Sequence, residues 1–94
     1  MDIVYYYLFE FWNFFTFYLT VRFDNSLVGV VIDRFGTGVT IIPSENTFEA
    51  HLSVAVSPYF YSWIVGYGNK AEIVSPQRVR DAFLEHIDQL RKKY

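Results

Sequence analysis

The sequence predicts a single α+β domain in which strands and helices alternate and a further helix closes the chain. Three observations indicate this class. Two segments alternate apolar and polar residues with a period of two, as half-buried strands do. Two Ser-Pro pairs stand where helices can begin, and two Gly-x-Gly triplets stand where helices can end. The 94 residues, 52% of them hydrophobic and 19% charged, suffice for one core and are too few for two domains.

The first strand and the first helix are predicted within residues 16–38. The strand runs from Thr16 to Phe23, because every second residue there is apolar. Three residues whose side-chain oxygens can cap a helix follow it: Asp24, Asn25 and Ser26. The predicted helix carries apolar residues at Leu27, Val28, Val31, Ile32 and Phe35, and it ends at Gly36 and Gly38.

A hairpin is predicted next. Val39–Ile42 forms the second strand, residues 43–46 form a turn that contains Pro, Ser and Asn, and Thr47–Val56 forms the third strand. The third strand alternates clearly, with its apolar side chains on one face. Because the connection is short, the second and third strands are expected to be antiparallel neighbours.

The second helix is predicted from the residues that start and stop it. Ser57 can accept hydrogen bonds from the amides of the first turn, and Pro58 fits the first helical position because its missing N–H would have no partner there. Apolar residues at helical spacing place Trp63 in the core. Gly66 and Gly68 can take positive φ angles and are expected to end this helix.

The fourth strand and the last helix complete the predicted order. Ala71–Val74 is the strand, and Ser75 with Pro76 is expected to repeat the Ser-Pro cap of a helix that runs to about Lys93. One apolar stripe is predicted on this helix, for packing on the domain or on a second subunit. Its members are Val79, Ala82, Phe83, His86, Ile87 and Leu90.

Strand, helix, strand, strand, helix and strand is the order of a ferredoxin-like β-α-β-β-α-β sandwich, here with an additional C-terminal helix. Both crossover helices are expected to cover one face of the sheet, which leaves the other face open. Four side chains on this open face form the candidate ligand or partner surface: Tyr18, Arg22, Glu49 and His51. One hypothesis is recognition of a small anion or a peptide, with Arg22 as the anchor. The alternative is a solvated or subunit-covered face with cross-strand charge pairs.

Residues 1–15 are distinguished by eight aromatic side chains among residues 5–15. We interpret them as an aromatic N-terminal arm or linker remnant that precedes a domain formed by residues 16–94. A membrane span over Ile3–Val21 has nearly the required length, but Glu10 and Asn13 and the shortage of aliphatic residues argue against it. No membrane contact is therefore predicted.

The composition also bears on function. The net charge is −2 and the pI is about 5.5, which disfavours direct DNA contact by this chain. The two histidines lack a metal-binding spacing, and no nucleophile is accompanied by a base, so we expect no metal, no cofactor and no enzymatic activity. The absence of cysteine fits a reducing cytoplasm, which is the expected location.

The second half of the sequence resembles a known family in the order of its features. These are a helix with a Trp followed by Gly, a short strand, a Pro, and a final amphipathic helix that ends near a Tyr. The matching residues are Trp63, Gly66, Gly68, Ala71–Val74, Pro76, Val79, Arg80, Leu90 and Tyr94. In this order they are similar to the C-terminal extension, or WCX-type, domain of the WYL-family bacterial transcriptional regulators. An upstream helix-turn-helix and the Trp-Tyr-Leu triplet that names the family do not occur in the sequence.

The resemblance implies a regulatory and oligomerisation module that helps to hold a dimer and couples effector sensing to DNA-binding helices. The expected partners are a second copy or neighbouring domains of a regulator, together with a small effector. The chain is then expected to be a fragment or a truncated reading frame of such a regulator. The alternative is a stand-alone domain of the same topology that binds a small ligand on the open sheet face.

Overall fold

The computed structural model describes residues 16–94, which form four strands and three α-helices. In chain order the elements are β1 (Thr16–Asp24), a 3-10 turn (Asn25–Leu27), α1 (Val28–Phe35), β2 (Thr40–Pro43), β3 (Thr47–Ala55), α2 (Pro58–Val65), a 3-10 turn (Gly68–Lys70), β4 (Ala71–Ser75) and α3 (Gln77–Arg91). The described chain is thus an α+β domain, and the predicted class and element order are confirmed. The aromatic arm predicted for residues 1–15 lies outside the described residues.

The four strands make one antiparallel sheet with the spatial order β2-β3-β1-β4. β1 is central, and its Arg22 lies between Glu49 of β3 and Glu72 of β4. The pairing of β1 with β4 shifts register between Thr20 and Val21. Since paired residues point to the same side of a sheet, these registers determine which side chains meet on each face.

The core lies between one face of the sheet and the helices. Alternate residues of β1 and β3 point into it, and α1, α2 and α3 add apolar side chains from the other layer. The buried side chains are Leu19, Val21, Phe23, Val31, Phe48, Ala50, Leu52, Phe60, Tyr61, Ile64, Ile73 and Val79. Full burial of a large apolar side chain stabilises a fold by about 1.5–3 kcal/mol, so this layer is the main source of stability.

The predicted start of α2 is confirmed, whereas one of its two predicted stop residues behaves differently. The Ser57 hydroxyl accepts a hydrogen bond from the Phe60 amide at 3.4 Å, and Pro58 is the first helical residue. Gly68 has a φ of +60°, as expected. Gly66 follows the last residue of α2, as expected, but its φ is −58°, so of the two only Gly68 takes a positive φ. The helical φ and ψ persist through Gly66, and the chain reverses only at Gly68.

The start of α3 also differs from the prediction. Ser75 is still a strand residue, paired with Thr20, and Pro76 is extended with φ −76° and ψ 161°. Neither residue therefore caps the helix through a side chain; instead, the Pro76 carbonyl accepts hydrogen bonds from the amides of Val79 and Arg80. The prediction of a repeated Ser-Pro cap is wrong because β4 continues to Ser75 and leaves one residue between strand and helix.

The ends of α3 and the bounds of β2 differ from the predictions by one or two residues. Such shifts are common at the ends of helices and strands. In the part of the chain that the structure describes, no helix has the length and apolar character needed to cross a bilayer.

Candidate functional site

The open face of the sheet, opposite the core, carries a row of charged side chains across three strands. Arg22 Nη2 lies 2.9 Å from Glu49 Oε2, and Arg22 Nη1 lies 3.1 Å from Glu72 Oε1. Glu72 Oε2 in turn lies 3.2 Å from Arg80 Nη1 of α3. The same Arg80 nitrogen donates a hydrogen bond to the Ile73 carbonyl at 2.7 Å. The row therefore links the sheet to the start of α3.

Both terminal nitrogens of Arg22 are engaged in this row. The hydrogen bond with Glu49 is the main cause of a raised pKa of the Arg22 guanidinium, and Glu72 adds to the effect. An anion that approached Arg22 would have to displace a carboxylate that is already hydrogen-bonded to it. The arrangement thus has the cross-strand charge pairs that the sequence offers as an alternative to a ligand anchor.

Tyr18 and His51 occupy another part of the open face. The Tyr18 side chain is 85% exposed, and His51 is exposed as well. Tyr18 pairs with Ser53 and Thr20 pairs with His51, so Tyr18 and His51 are diagonal neighbours on adjacent strands. The structure therefore brings Arg22 and Glu49 into direct contact and places the other two candidate residues farther along the same face.

A second polar row lies at the end of the face where β1 leaves the sheet. The Asp24 carboxylate accepts a hydrogen bond from the Ser26 amide at 2.9 Å and another from the Ser26 hydroxyl. These bonds, the hydroxyl bond first, lower the pKa of Asp24, and the charge of Lys70 lowers it further. Thr47 pairs with Asp24 from β3. Lys70 and Glu72 also belong to this face, and neither was among the predicted site residues. The alternation about Ile73, which is buried, could have placed Glu72 there.

The apolar stripe predicted on α3 is covered by the domain only in part. Val79 is buried, and Phe83 and His86 are half-buried against the ring of Tyr61, at centroid distances of 5.5 and 5.0 Å. Ala82, Ile87 and Leu90, the other members of the stripe, are exposed. Only one side of the helix, chiefly along its first two turns, meets the domain, and for these three residues contact with a second subunit stays a prediction.

Three exposed apolar side chains, here called the α3 outer stripe, follow one another along the helix. Their exposed fractions are 55% for Leu84, 37% for Ile87 and 51% for Leu90. Beside Leu84 lies a groove of about 130 Å³ between β4 and α3, lined by Ala71, Glu72, Ile73, Arg80, Phe83 and Leu84. Large exposed apolar residues in a contiguous row are typical of a contact surface.

Trp63 lies in an aromatic cluster on the core side of the domain. Its ring meets Phe23 and Phe35 edge-on, with centroids 6.0 and 5.7 Å away, and stacks on Phe60 at 6.4 Å. The Arg34 guanidinium lies over the Trp63 ring at 5.4 Å. Aromatic pairs of this geometry stabilise a fold beyond the area that they bury. Trp63 thus packs as the sequence predicts, between α1, α2 and the sheet.

The remaining family-motif residues lie at element ends. Gly66 follows α2, Gly68 opens the turn that leads into β4, and Pro76 separates β4 from α3. Within residues 16–94, no group of three or more His, Asp or Glu side chains is placed to hold a metal ion.

The charged open face and the apolar α3 outer stripe give this α+β domain surfaces that suit contact with other molecules. A family model described as the WCX domain matches residues 16–91, and the chain belongs to the WCX domain family. The resemblance to a WCX-type domain is thereby confirmed, and the membership fits a regulatory C-terminal domain of a regulator in general. Comparison with curated proteins and with solved structures finds no match.

Proposed function

We propose that this chain is the regulatory and oligomerisation module of a WYL-type bacterial transcriptional regulator. It acts in the cytoplasm by protein contact, without catalysis or a bound cofactor, and it does not itself contact DNA. The WCX family match supports the regulatory part of this proposal. The single observation that carries the contact role is the α3 outer stripe, which the domain leaves exposed.

We also infer that the sandwich is ferredoxin-like. The strand order β2-β3-β1-β4, with an antiparallel sheet and crossovers through α1 and α2, supports this assignment. In this arrangement α3 is an addition to the sandwich. An added helix can project an apolar surface toward a partner without disturbing the core.

The occupant proposed for the α3 outer stripe is a second copy of the chain. Two α3 helices can pair in antiparallel orientation with Ile87 at the centre of the contact. Leu84 and Leu90 each lie three residues from Ile87, so Leu84 of one copy then faces the partner's Leu90. Asp81 then lies on the same side as the partner's Lys93, and the charges attract. Parallel pairing would instead set each Lys93 beside its copy. Leu84 lines the groove between β4 and α3, so the partner's Leu90 also enters a concave apolar surface.

The size of this contact predicts its strength. Two helices that meet over a few turns bury less than the roughly 1,200 Å² typical of a stable interface. We therefore expect association in the micromolar range or weaker for this chain alone. Linkage to other dimerising domains of a regulator would raise the effective concentration and strengthen the contact.

The charge distribution supports a role without direct DNA contact. The basic residues at the end of α3 are partly neutralised within the helix, since Asp88 pairs with Arg91 at 2.9 Å and with Lys92 at 3.2 Å. Arg22 and Arg80 are likewise paired with carboxylates. Ligand binding anchored on Arg22 does not belong to the proposal, because both of its terminal nitrogens are already paired.

The test is sedimentation of the full chain over a concentration series from about 1 to 500 μM, a range that spans weak association. We expect a reversible monomer–dimer equilibrium that Ile87→Glu abolishes, because a carboxylate would be buried without a partner. Val28→Glu is the matched control, since Val28 is also exposed, at 41%, but lies on α1. A wild-type monomer at every concentration, or equal loss in both variants, would contradict the proposal.

A further inference from the structure

A cleft at one end of the open face is separate from the α3 outer stripe. It lies where the chain leaves β1 and where the 3-10 turn Gly68–Lys70 leads into β4. Its volume of about 380 Å³ falls within the range of small-molecule sites, about 300–1,000 Å³. The polar side chains that line it are Arg22, Asp24, Thr47, Asn69, Lys70 and Glu72.

Three of these side chains form a fixed charged frame. Arg22 and Glu72 hold each other at 3.1 Å, and Arg80 holds Glu72 from the opposite side at 3.2 Å. Asp24 is oriented by its two hydrogen bonds from Ser26. These groups therefore need little reordering when a ligand enters, which favours binding.

The other three side chains have hydrogen-bonding capacity to spare. Within residues 16–94, the side chains of Thr47, Asn69 and Lys70 make no hydrogen bond or ion pair with another described residue. They supply a hydroxyl, an amide and an ammonium group. Gly68, with a φ of +60°, makes the turn that carries Asn69 and Lys70 to the cleft.

The charges around the cleft decide which ligand fits. Two cations, Arg22 and Lys70, and two carboxylates, Asp24 and Glu72, line it, so their formal charges cancel. A simple anion would meet the carboxylates, and a simple cation would meet Arg22 and Lys70. A small molecule that carries both charges a few ångströms apart can pair with groups of both signs in the cleft.

We propose that this cleft binds a small zwitterion of the class of free α-amino acids. The ligand carboxylate accepts hydrogen bonds from the Lys70 ammonium and the Asn69 amide, and the ligand ammonium donates to the Asp24 carboxylate and the Thr47 hydroxyl. The cleft adjoins the region of Arg22 and Glu49, and it uses Arg22 as part of its frame rather than as an anchor. The proposal goes beyond the contact role of α3 and does not depend on it.

The test is thermal unfolding of the full chain in the presence of each of the twenty proteinogenic amino acids, singly, at about 10 mM. Selective binding of the folded state raises the melting temperature, by at least about 5 °C when the ligand is tenfold above its Kd. We expect such a shift from at least one amino acid, and no comparable shift from sodium acetate or methylammonium chloride at the same concentration. Titration calorimetry with the active amino acid then gives its affinity.

Two variants assign the effect to the cleft. Lys70→Gln removes a cation of the cleft and should lower the affinity at least tenfold, whereas the control Lys92→Gln, just after α3 and outside the cleft, should leave it unchanged. The dimerisation variant Ile87→Glu should also retain the shift, so the two proposals fail independently. Absence of a shift for all twenty amino acids, or a shift that Lys70→Gln leaves intact, would overturn the assignment.

Discussion

Phe83 and Leu84 are adjacent on α3 and should have opposite roles. Phe83 is half-buried with its ring against Tyr61 at 5.5 Å, whereas Leu84 is 55% exposed. Truncation of a fully buried Phe to Ala costs about 3–5 kcal/mol, and most of the Phe83 side chain is covered, so Phe83→Ala should cost about 2–4 kcal/mol. Leu84 is more than half exposed, so Leu84→Ala removes less buried area from the monomer and should cost about 1 kcal/mol.

Urea unfolding of both variants and of the wild type measures these costs. The samples are kept dilute enough to be monomeric, because dimerisation would add stability to the wild type and to Phe83→Ala. For a domain of this size the Phe83→Ala cost corresponds to a fall of at least about 10 °C in melting temperature. In sedimentation the larger effect should come from the other variant. Leu84→Ala should weaken the dimer more than Phe83→Ala does, because it removes a side chain of the α3 outer stripe.

Equal free-energy costs for the two variants in dilute solution would contradict this prediction. Equal costs would mean that α3 buries both residues or neither, which contradicts the way that α3 lies on the domain. A Phe83→Ala cost below about 0.5 kcal/mol would show that Tyr61 and Phe83 do not hold α3 in place.

Two further predictions concern single positions. The fold lowers the pKa of the Asp24 carboxyl from its ordinary value of 3.8. The ionised carboxylate therefore stabilises the fold at pH values above 3.8, and this stabilisation is lost as the pH falls through the lower pKa of the folded state. The gap in melting temperature between the wild type and Asp24→Ala should therefore narrow as the pH is lowered from 7 through that range; a constant gap would exclude the charge effect. Gly68→Ala should cost about 1–2 kcal/mol because φ is +60° there, whereas Gly66→Ala, at −58°, should be tolerated. Chemical denaturation compares the two, and equal costs would contradict the assigned φ angles.

The elements of this fold could be predicted because their signals are local. The alternation of β1 and β3 reports a half-buried strand whatever lies opposite, and Ser57 with Pro58 starts α2 through atoms within the same turn. The prediction failed at the start of α3, where a second element intervened. Ser75 and Pro76 repeat the Ser-Pro pair that starts α2, but Ser75 pairs with Thr20 in the sheet. β4 therefore continues to Ser75, and no side chain caps α3.

The candidate site could be predicted only in part. The period of a strand places Tyr18, Arg22, Glu49 and His51 on one face, as the structure has them. Which of them touch depends on strand register, which single-strand periodicity does not specify. Arg22 meets Glu72 across 50 positions of sequence, and that contact changes its role from free cation to paired cation.

The sequence by itself determined the class of fold, the inward and outward faces of the strands and the apolar content of α3. The tertiary structure decided which apolar residues of α3 are covered, because burial depends on where the helix crosses the sheet. It also decided that Asp24, Thr47 and Lys70 meet at one cleft. Periodicity acts over a few residues, whereas pairing and packing join segments that are distant in the chain, and only the folded arrangement brings those segments together.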